Sequence, residues 1–282
     1  MPRILVTNDD GVQAEGLRVL VAALVARPPT EPPWELAVVA PAHDVSGASA
    51  SLGALDEQGR VPVEQVTVEG LAVPTWALHG PPGLAVLAGR LGAFGPPPDV
   101  IVSGINRGPN TGRSILHSGT VGAVLTGQNF GAAGLAVSLD GAGTAAGFAR
   151  AAALAVQALE LLGRCAPGTV LNVNVPDTDR ELRGWRWASL APFGAVRTAV
   201  AGEGSLQLEF RSEPDADADP GSDAALLHAG YATVTALTGV MAADPGTIPE
   251  QLAANDVTMA HVPVAVGSPV ATGSPVAAGS TA

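Results

Sequence analysis

Four clusters of residues carry the side chains that could do chemistry. Asn8-Asp9-Asp10 supplies paired carboxylates, Ser46 a hydroxyl, and Asn106 with Asn110 amide oxygens. No His, Cys or Met is obviously among them. An all-oxygen donor set suits a hard cation such as Mg2+ or Mn2+, with positions left open for water and substrate. Adjacent carboxylates at a chain bend can both face one ion, and without a cation they would repel. The fourth cluster, Ser118-Gly119-Thr120, leads into Val121, Val124 and Leu125, spaced as one face of a helix. Such a helix start presents free backbone N–H groups and two hydroxyls, an anion cradle that the helix dipole favours further. Each cluster also has a structural use: Asp9 and Asp10 would cap the following turn and helix, and Ser118 would cap its own. What favours the cation is where the clusters fall among the elements.

Arg3 to Thr7 reads as a first strand, ended by Asn8-Asp9-Asp10-Gly11. From Glu15, the positions Leu17, Leu20, Val21, Leu24 and Val25 fall at helical spacing, and Arg27-Pro28-Pro29 stops that helix. Leu36 to Ala40 is a second strand, followed by a polar loop that holds Ser46. Residues 52–80 are less regular, with short strands suggested at Val61-Pro62-Val63 and Val66-Thr67-Val68, and Gly83 to Leu91 reads as a helix. Val100-Ile101-Val102 is a buried parallel strand. Ser103 to Asn110, dense in Gly and amides, is expected as the loop at its carboxyl end. After the helix from Ser118 come a strand at Gly134–Leu139, an alanine-rich helix at Ala145–Leu162 and a strand at Val170–Val175. The alternation implies a parallel sheet with right-handed crossovers. Sites in such sheets form beyond the carboxyl ends of the strands. All three oxygen-rich clusters leave carboxyl ends, so the cation reading is preferred.

From about Asp177 the pattern changes. Leu206 to Phe210 and Tyr231 to Leu237 alternate like strands with one wet face. Residues 177–240 are read as antiparallel additions, hairpins reaching toward a partner subunit. Gly-Ser-Pro-Val-Ala occurs at 267–271 and again at 273–277, and this low complexity predicts a disordered tail.

The bulk numbers bound the partners. With 282 residues and 47% hydrophobic content the chain can bury a sizeable core. A net charge of −12 argues against a nucleic-acid backbone as partner. An acidic protein acting on an anionic substrate needs local positive charge, which a bound cation supplies. The single Cys165 excludes a disulfide framework and a thiolate metal cage. Met1-Pro2-Arg3 runs straight into Ile4-Leu5-Val6, too short for a secretory core, and no apolar run approaches a membrane span. A soluble cytoplasmic protein is expected.

Rival chemistries fail on spacing. Asp9 and Asp10 are adjacent, not two apart as an aspartyl-phosphate phosphatase needs. Neither a G-x-G-x-x-G after the first strand, a Walker-type Gly-Lys-Ser/Thr, nor a G-x-S-x-G elbow occurs. Asp215-Ala216-Asp217-Ala218-Asp219 begins like a calcium loop, but Pro220 stands where Gly is needed and Leu226 where the bidentate Glu is needed. It is read as a solvated turn. His117 could donate to a phosphate or be structural; Arg107 and Arg113 could contact phosphate or be solvated. Trp185 and Trp187 are read as strand packing.

These residues resemble the SurE family, the survival-protein-E 5′/3′-nucleotidases. The match lies in Ile4-Leu5-Val6-Thr7-Asn8-Asp9-Asp10-Gly11, Val39-Ala40-Pro41 with Ser46-Gly47-Ala48, and Val102-Ser103-Gly104-Ile105-Asn106-Arg107-Gly108-Pro109-Asn110. It continues in His117-Ser118-Gly119-Thr120-Val121-Gly122-Ala123, Leu171-Asn172-Val173-Asn174-Val175-Pro176 and Ala229-Gly230-Tyr231. The resemblance implies an α/β fold with a three-layer, Rossmann-like, mostly parallel sheet and C-terminal antiparallel hairpin extensions exchanged between subunits of a homodimer or homotetramer. It also implies divalent-metal-dependent hydrolysis of nucleoside monophosphates. The family's metal ligands map onto Asp9, Asp10, Ser46 and Asn106, and its phosphate contacts onto Asn110, Ser118, Gly119 and Thr120. The chain departs from the family at Thr126, where a Glu is usual, at Gly80-Pro81-Pro82-Gly83-Leu84, where Gly-Thr-Pro-x-Asp is usual, and at Ala42, where an Asp is usual.

The expectation is therefore a phosphatase acting on nucleoside 5′- or 3′-monophosphates with one Mg2+ or Mn2+ per subunit. Asp9 and Asp10 are its catalytic carboxylates, Asp10 being preferred as acceptor of the water's proton. The expected organisation is a catalytic core at 1–176, an antiparallel extension and oligomerisation region at 177–262, and a disordered tail at 263–282. A non-catalytic nucleotide or phosphate sensor is the alternative from another class. A phosphatase on polyphosphate or a non-nucleotide monoester is the third.

Overall fold

The structure, a computed structural model, describes residues 2–27, 33–177, 182–192, 196–202, 205–210 and 219–241, with 196–202 and 205–210 described by backbone alone. The expected tail at 263–282 lies outside the described residues, as do residues 215–218 of the acidic turn.

The elements in chain order are β1 (Arg3–Thr7), α1 (Glu15–Val25), β2 (Glu35–Pro41), β3 (Val63–Gln65), β4 (Thr75–Leu78) and α2 (Pro82–Arg90). Then come β5 (Val100–Arg107), a 3-10 turn (Gly112–His117), α3 (Gly119–Asn129), β6 (Ala133–Asp140), α4 (Ala145–Leu162) and β7 (Val170–Pro176). The rest is β8 (Trp185–Trp187), β9 (Val196–Gly202), β10 (Ser205–Phe210), α5 (Asp223–His228) and β11 (Ala232–Leu237).

Among the described residues, nine strands form one sheet in the order β3-β4-β2-β1-β5-β6-β7-β11-β8. The strands from β4 through β7 are parallel to one another; β3 and β11 run against their neighbours β4 and β7. The helical spacing of the first helix does what the sequence predicts. Leu17, Leu20, Val21 and Leu24 bury against one face of the sheet, together with Phe148, Ala151, Ala155 and Leu159 of α4. On the other face Leu84 and Val86 of α2 and Val121 and Val124 of α3 cover Leu5, Val39 and Ile101. Each fully buried Leu, Ile or Val contributes about 1.5–3 kcal/mol. Helices on both faces of a mostly parallel sheet make the three-layer α/β fold that was expected. Helix α4 is long and apolar enough, by length and composition alone, to cross a membrane, which the sequence reading did not anticipate. Here it packs on α1, β6 and β7 and buries Phe148 through Leu162 along one stripe.

Several boundaries differ from expectation. Val66-Thr67-Val68 is not a strand; the strands of that excursion are β3 and β4. Strand β5 does not end at Val102 but runs to Arg107, with its pairing to β6 interrupted between Ser103 and Asn106. Gly104 makes that interruption possible: its φ is +136°, and a Cβ there would lie 2.3 Å from the Val137 carbonyl oxygen. Beyond Asp177, β11 is antiparallel to β7 and β9 pairs antiparallel with β10, but β8 lies parallel to β11 and α5 is a helix. Trp185 packs against the core, whereas Trp187 is 66% exposed.

Candidate active site

Strands β2, β1 and β5 lie side by side and parallel, so their carboxyl ends leave the sheet together. Backbone bonds then tie the loops to one another. The Val45 N–H donates to the Asp9 carbonyl at 2.8 Å, and the Val12 N–H to the Pro41 carbonyl at 2.8 Å. The loop holding Ser46 is thereby fastened to the turn holding Asp9 and Asp10. At the third strand end, the Gly108 N–H donates to the Leu139 carbonyl at 2.8 Å and sets the path that follows Asn106.

Asp9 is 3% exposed and sits against the start of α3. The Thr120 hydroxyl donates to its Oδ1 at 2.5 Å. Gly119 leaves the room: a Cβ on it would lie 2.8 Å from both the Cβ and Oδ2 of Asp9. Burial pushes the Asp9 carboxyl above its ordinary range, against the Thr120 hydroxyl and the backbone N–H groups of Asp9 and Thr120, which favour the ionised form. Asp10 is pushed up to about 7, first by burial, then by the negative charges of Asp9 and Asp44, with Arg107 pulling the other way.

Asp44 holds Ser46 in place, a contact that sequence reasoning missed. Its Oδ1 accepts both the Ser46 N–H at 2.8 Å and the Ser46 hydroxyl at 2.7 Å. These bonds hold the Asp44 carboxyl below its ordinary range. A serine whose proton is held by a carboxylate turns its oxygen lone pairs outward, as a hydroxyl ligand to a cation must. The signal available was an Asp two residues before the Ser, the spacing at which such side chains meet in a turn. Asp44→Asn is expected to weaken Mn2+ binding about tenfold, by calorimetry, while the fold stays intact.

Asn106 donates its Nδ2 to the Gly108 carbonyl at 2.8 Å, which leaves Oδ1 as the atom that could hold a cation. Asn8 gives its Nδ2 to the Gly11 carbonyl at 3.0 Å, while its Oδ1 is buried without a protein partner. The site thus gathers carboxylate, hydroxyl and amide oxygens around mutually repelling acids, which fits a hard divalent cation. Because the set mixes Asp with Ser and Asn, no group of three His, Cys, Asp or Glu forms a metal cluster among the described residues.

The cradle adjoins this set through Asp9. Ser118 is the N-cap of α3, its Oγ accepting the Val121 N–H at 3.1 Å, so its own proton is free to donate. Thr120, by contrast, has committed its hydroxyl proton to Asp9. Asn110 donates one Nδ2 hydrogen to the Ser138 hydroxyl at 2.8 Å and keeps the other. His117 and Arg113 are exposed, and Arg107 acts on Asp10 electrostatically.

Comparison with known proteins shows the family. The family model described as survival protein SurE matches residues 4–194. A 5′/3′-nucleotidase SurE of Edwardsiella ictaluri is 35% identical over 243 residues, covering 83% of this chain and 89% of that protein. A 5′-nucleotidase SurE of Pseudomonas putida is 40% identical over 245 residues, covering 83% and 91%. The crystal structure of the SurE protein from Aquifex aeolicus matches with a TM-score of 0.70 at 26% identity, covering 90% of this chain and 100% of that one.

Proposed function

The chain belongs to the survival protein SurE family, and on that premise we propose that it is a nucleotidase hydrolysing nucleoside 5′- or 3′-monophosphates to nucleoside and phosphate. It holds one divalent cation, Mg2+ or Mn2+, per subunit, on Asp9, Asp10, Ser46 and Asn106. It acts in the cytoplasm as a homodimer or homotetramer.

The observation that carries this reading is the Asp9–Gly119–Thr120 contact, which sets the buried Asp9 carboxylate against a helix N-terminus. When bound, the cation supplies Lewis-acid polarisation of the phosphoryl group and lowers the pKa of attacking water. The residues do the rest. Asp9, locked by Thr120, fixes the position of the charge. Asp10, less buried than Asp9, accepts the water's proton. The N–H groups opening α3, the Ser118 hydroxyl and the second Nδ2 hydrogen of Asn110 stabilise charge on the phosphoryl oxygens. The division into a core at 1–176 and an oligomerisation region at 177–262 is part of the same reading. The β9–β10 hairpin supports it. It pairs with itself and joins no other strand among the described residues, and a lone two-stranded hairpin is marginal until it packs on something.

Phosphate release from a panel of nucleoside monophosphates, polyphosphate and sugar phosphates, with Mg2+, Mn2+ or EDTA, tests the function. Release from nucleoside monophosphates, abolished by EDTA, is expected. AMP binding in Mn2+ with no phosphate released from any substrate would make the protein a sensor instead.

A pH dependence follows from Asp10. Its folded-state pKa, about 7, lies above its ordinary value of 3.8, so its contribution to stability is present below pH 3.8 and is lost as pH rises through 7. The protein in EDTA should therefore melt lower at pH 8 than at pH 5.5, by roughly 5 °C. Mn2+ must displace the Asp10 proton, so its affinity should rise with pH and level off above 7. Calorimetry and melting curves across that range check both signs.

A further inference from the structure

The loop that carries Asn110 does not hold itself. Strand register places Asn106, Ser138 and Asn174 in one row across β5, β6 and β7, so Asn174 reaches the loop from two strands away. Its amide brackets the Asn110 backbone: the Asn110 N–H donates to Asn174 Oδ1 at 2.7 Å, and Asn174 Nδ2 donates to the Asn110 carbonyl at 2.9 Å. Asn172 Nδ2 adds a second donor to that carbonyl at 2.8 Å. Ser138 receives the Asn110 side chain at 2.8 Å. One turn later Asp223 Oδ2 accepts the Gly112 N–H at 2.8 Å. All four anchors are fully buried. Asn172 leaves its own Oδ1 buried and without a partner while giving its amide to Asn110, a costly arrangement for a residue that serves packing alone.

We propose that Asn174, assisted by Asn172 and Ser138, is a positioning residue that aims Asn110 at the phosphate and so sets how tightly phosphate is held. The proposal rests on the phosphate-handling role given to Asn110 above and extends it to residues of β6 and β7. Asn174 acts through the Asn110 backbone, which it bonds on both sides. Its loss changes phosphate affinity and leaves cation affinity alone, a split that a merely structural residue would not produce.

The test uses the full chain loaded with Mn2+, with Asn174→Asp and Ser138→Ala as variants. Asn174→Asp keeps the acceptor for the Asn110 N–H but sets a carboxylate against the Asn110 carbonyl. Ser138→Ala removes only the side-chain acceptor. Inorganic phosphate is titrated calorimetrically, and KM and kcat for AMP are measured beside it. Phosphate Kd and KM should rise about tenfold in Asn174→Asp and about threefold in Ser138→Ala, with Mn2+ Kd within about twofold of the parent. Unchanged phosphate Kd and KM in either folded variant would overturn the proposal, as would a loss of Mn2+ affinity in step with phosphate affinity. Should Asn174→Asp fail to fold, Ser138→Ala decides by itself. A parent protein that binds phosphate yet hydrolyses no nucleoside monophosphate would sink the nucleotidase reading, leaving the clamp to be judged on phosphate Kd.

Discussion

Asp10→Asn should lower kcat on nucleoside monophosphates by about three orders of magnitude while raising the melting temperature of the metal-free protein at pH 8. The two effects have one origin. Above pH 7 the Asp10 carboxylate is ionised beside Asp9 and Asp44, partly removed from water, and its charge works against the fold. An amide of nearly the same shape relieves that repulsion. On the proposed reading it also removes a cation ligand and the acceptor of the water's proton, and proton transfer by a positioned side chain contributes about 10²–10⁴-fold. A structural carboxylate that only capped the turn would behave in the opposite way, losing stability and sparing turnover. Steady-state kinetics and melting in EDTA read the two signs separately. Turnover within tenfold of the parent would remove Asp10 from the mechanism.

Gly119→Ala is expected to cost about a hundredfold in Mn2+ affinity and about 1–3 kcal/mol in stability. On helix propensity alone the change is favourable, since Ala is the better helix former. The new methyl, however, would stand 2.8 Å from both Cβ and Oδ2 of Asp9, which is itself buried and bonded to Thr120. Either the carboxylate or the start of α3 must move, and a cation that Asp9 would hold loses that ligand's position. Gly131→Ala is not an equivalent control, because Gly131 lies at φ +81°. Ala88→Gly in α2, remote from the turn holding Asp9, gives a mild helix loss for comparison. Mn2+ binding by Gly119→Ala at parental affinity would mean that Asp9 is not held where the structure places it.

The sequence made the frame legible because its elements are periodic. The stripe Leu17, Leu20, Val21, Leu24 and the apolar run Ile4-Leu5-Val6 each admit one element, and both formed where expected. Local composition misled where tertiary contacts overrode it. Val66-Thr67-Val68 has strand composition, yet the Leu71 N–H closes onto the Val68 carbonyl at 3.0 Å as a turn, and Val68 enters the core from a loop. Ser103-Gly104 looked like a strand's end, yet Gly104 lets β5 pass close to Val137 and continue to Asn106.

The site divides the same way. Asp9, Asp10, Ser46 and Asn106 could be singled out by residue type and by their place at or beyond strand ends. The partners that hold them could not, because each depends on register or on a fold-back. Asn174 reaches Asn110 across 64 positions of chain, and Asp223 reaches Gly112 across 111. Thr120, chosen from sequence as a phosphate contact, instead spends its hydroxyl on Asp9 because burial of that carboxylate demands a donor. Asp44 lay within sight, but its role appears only once the loop folds Ser46 back onto it.

Anomalous diffraction from crystals soaked in Mn2+ bears most directly on the central claim. One peak per subunit is expected, bonded to carboxylate oxygens of Asp9 and Asp10, with Ser46 and Asn106 completing the protein's share and the first turn of α3 alongside. A peak elsewhere, or none at a Mn2+ concentration that supports turnover, would contradict the account.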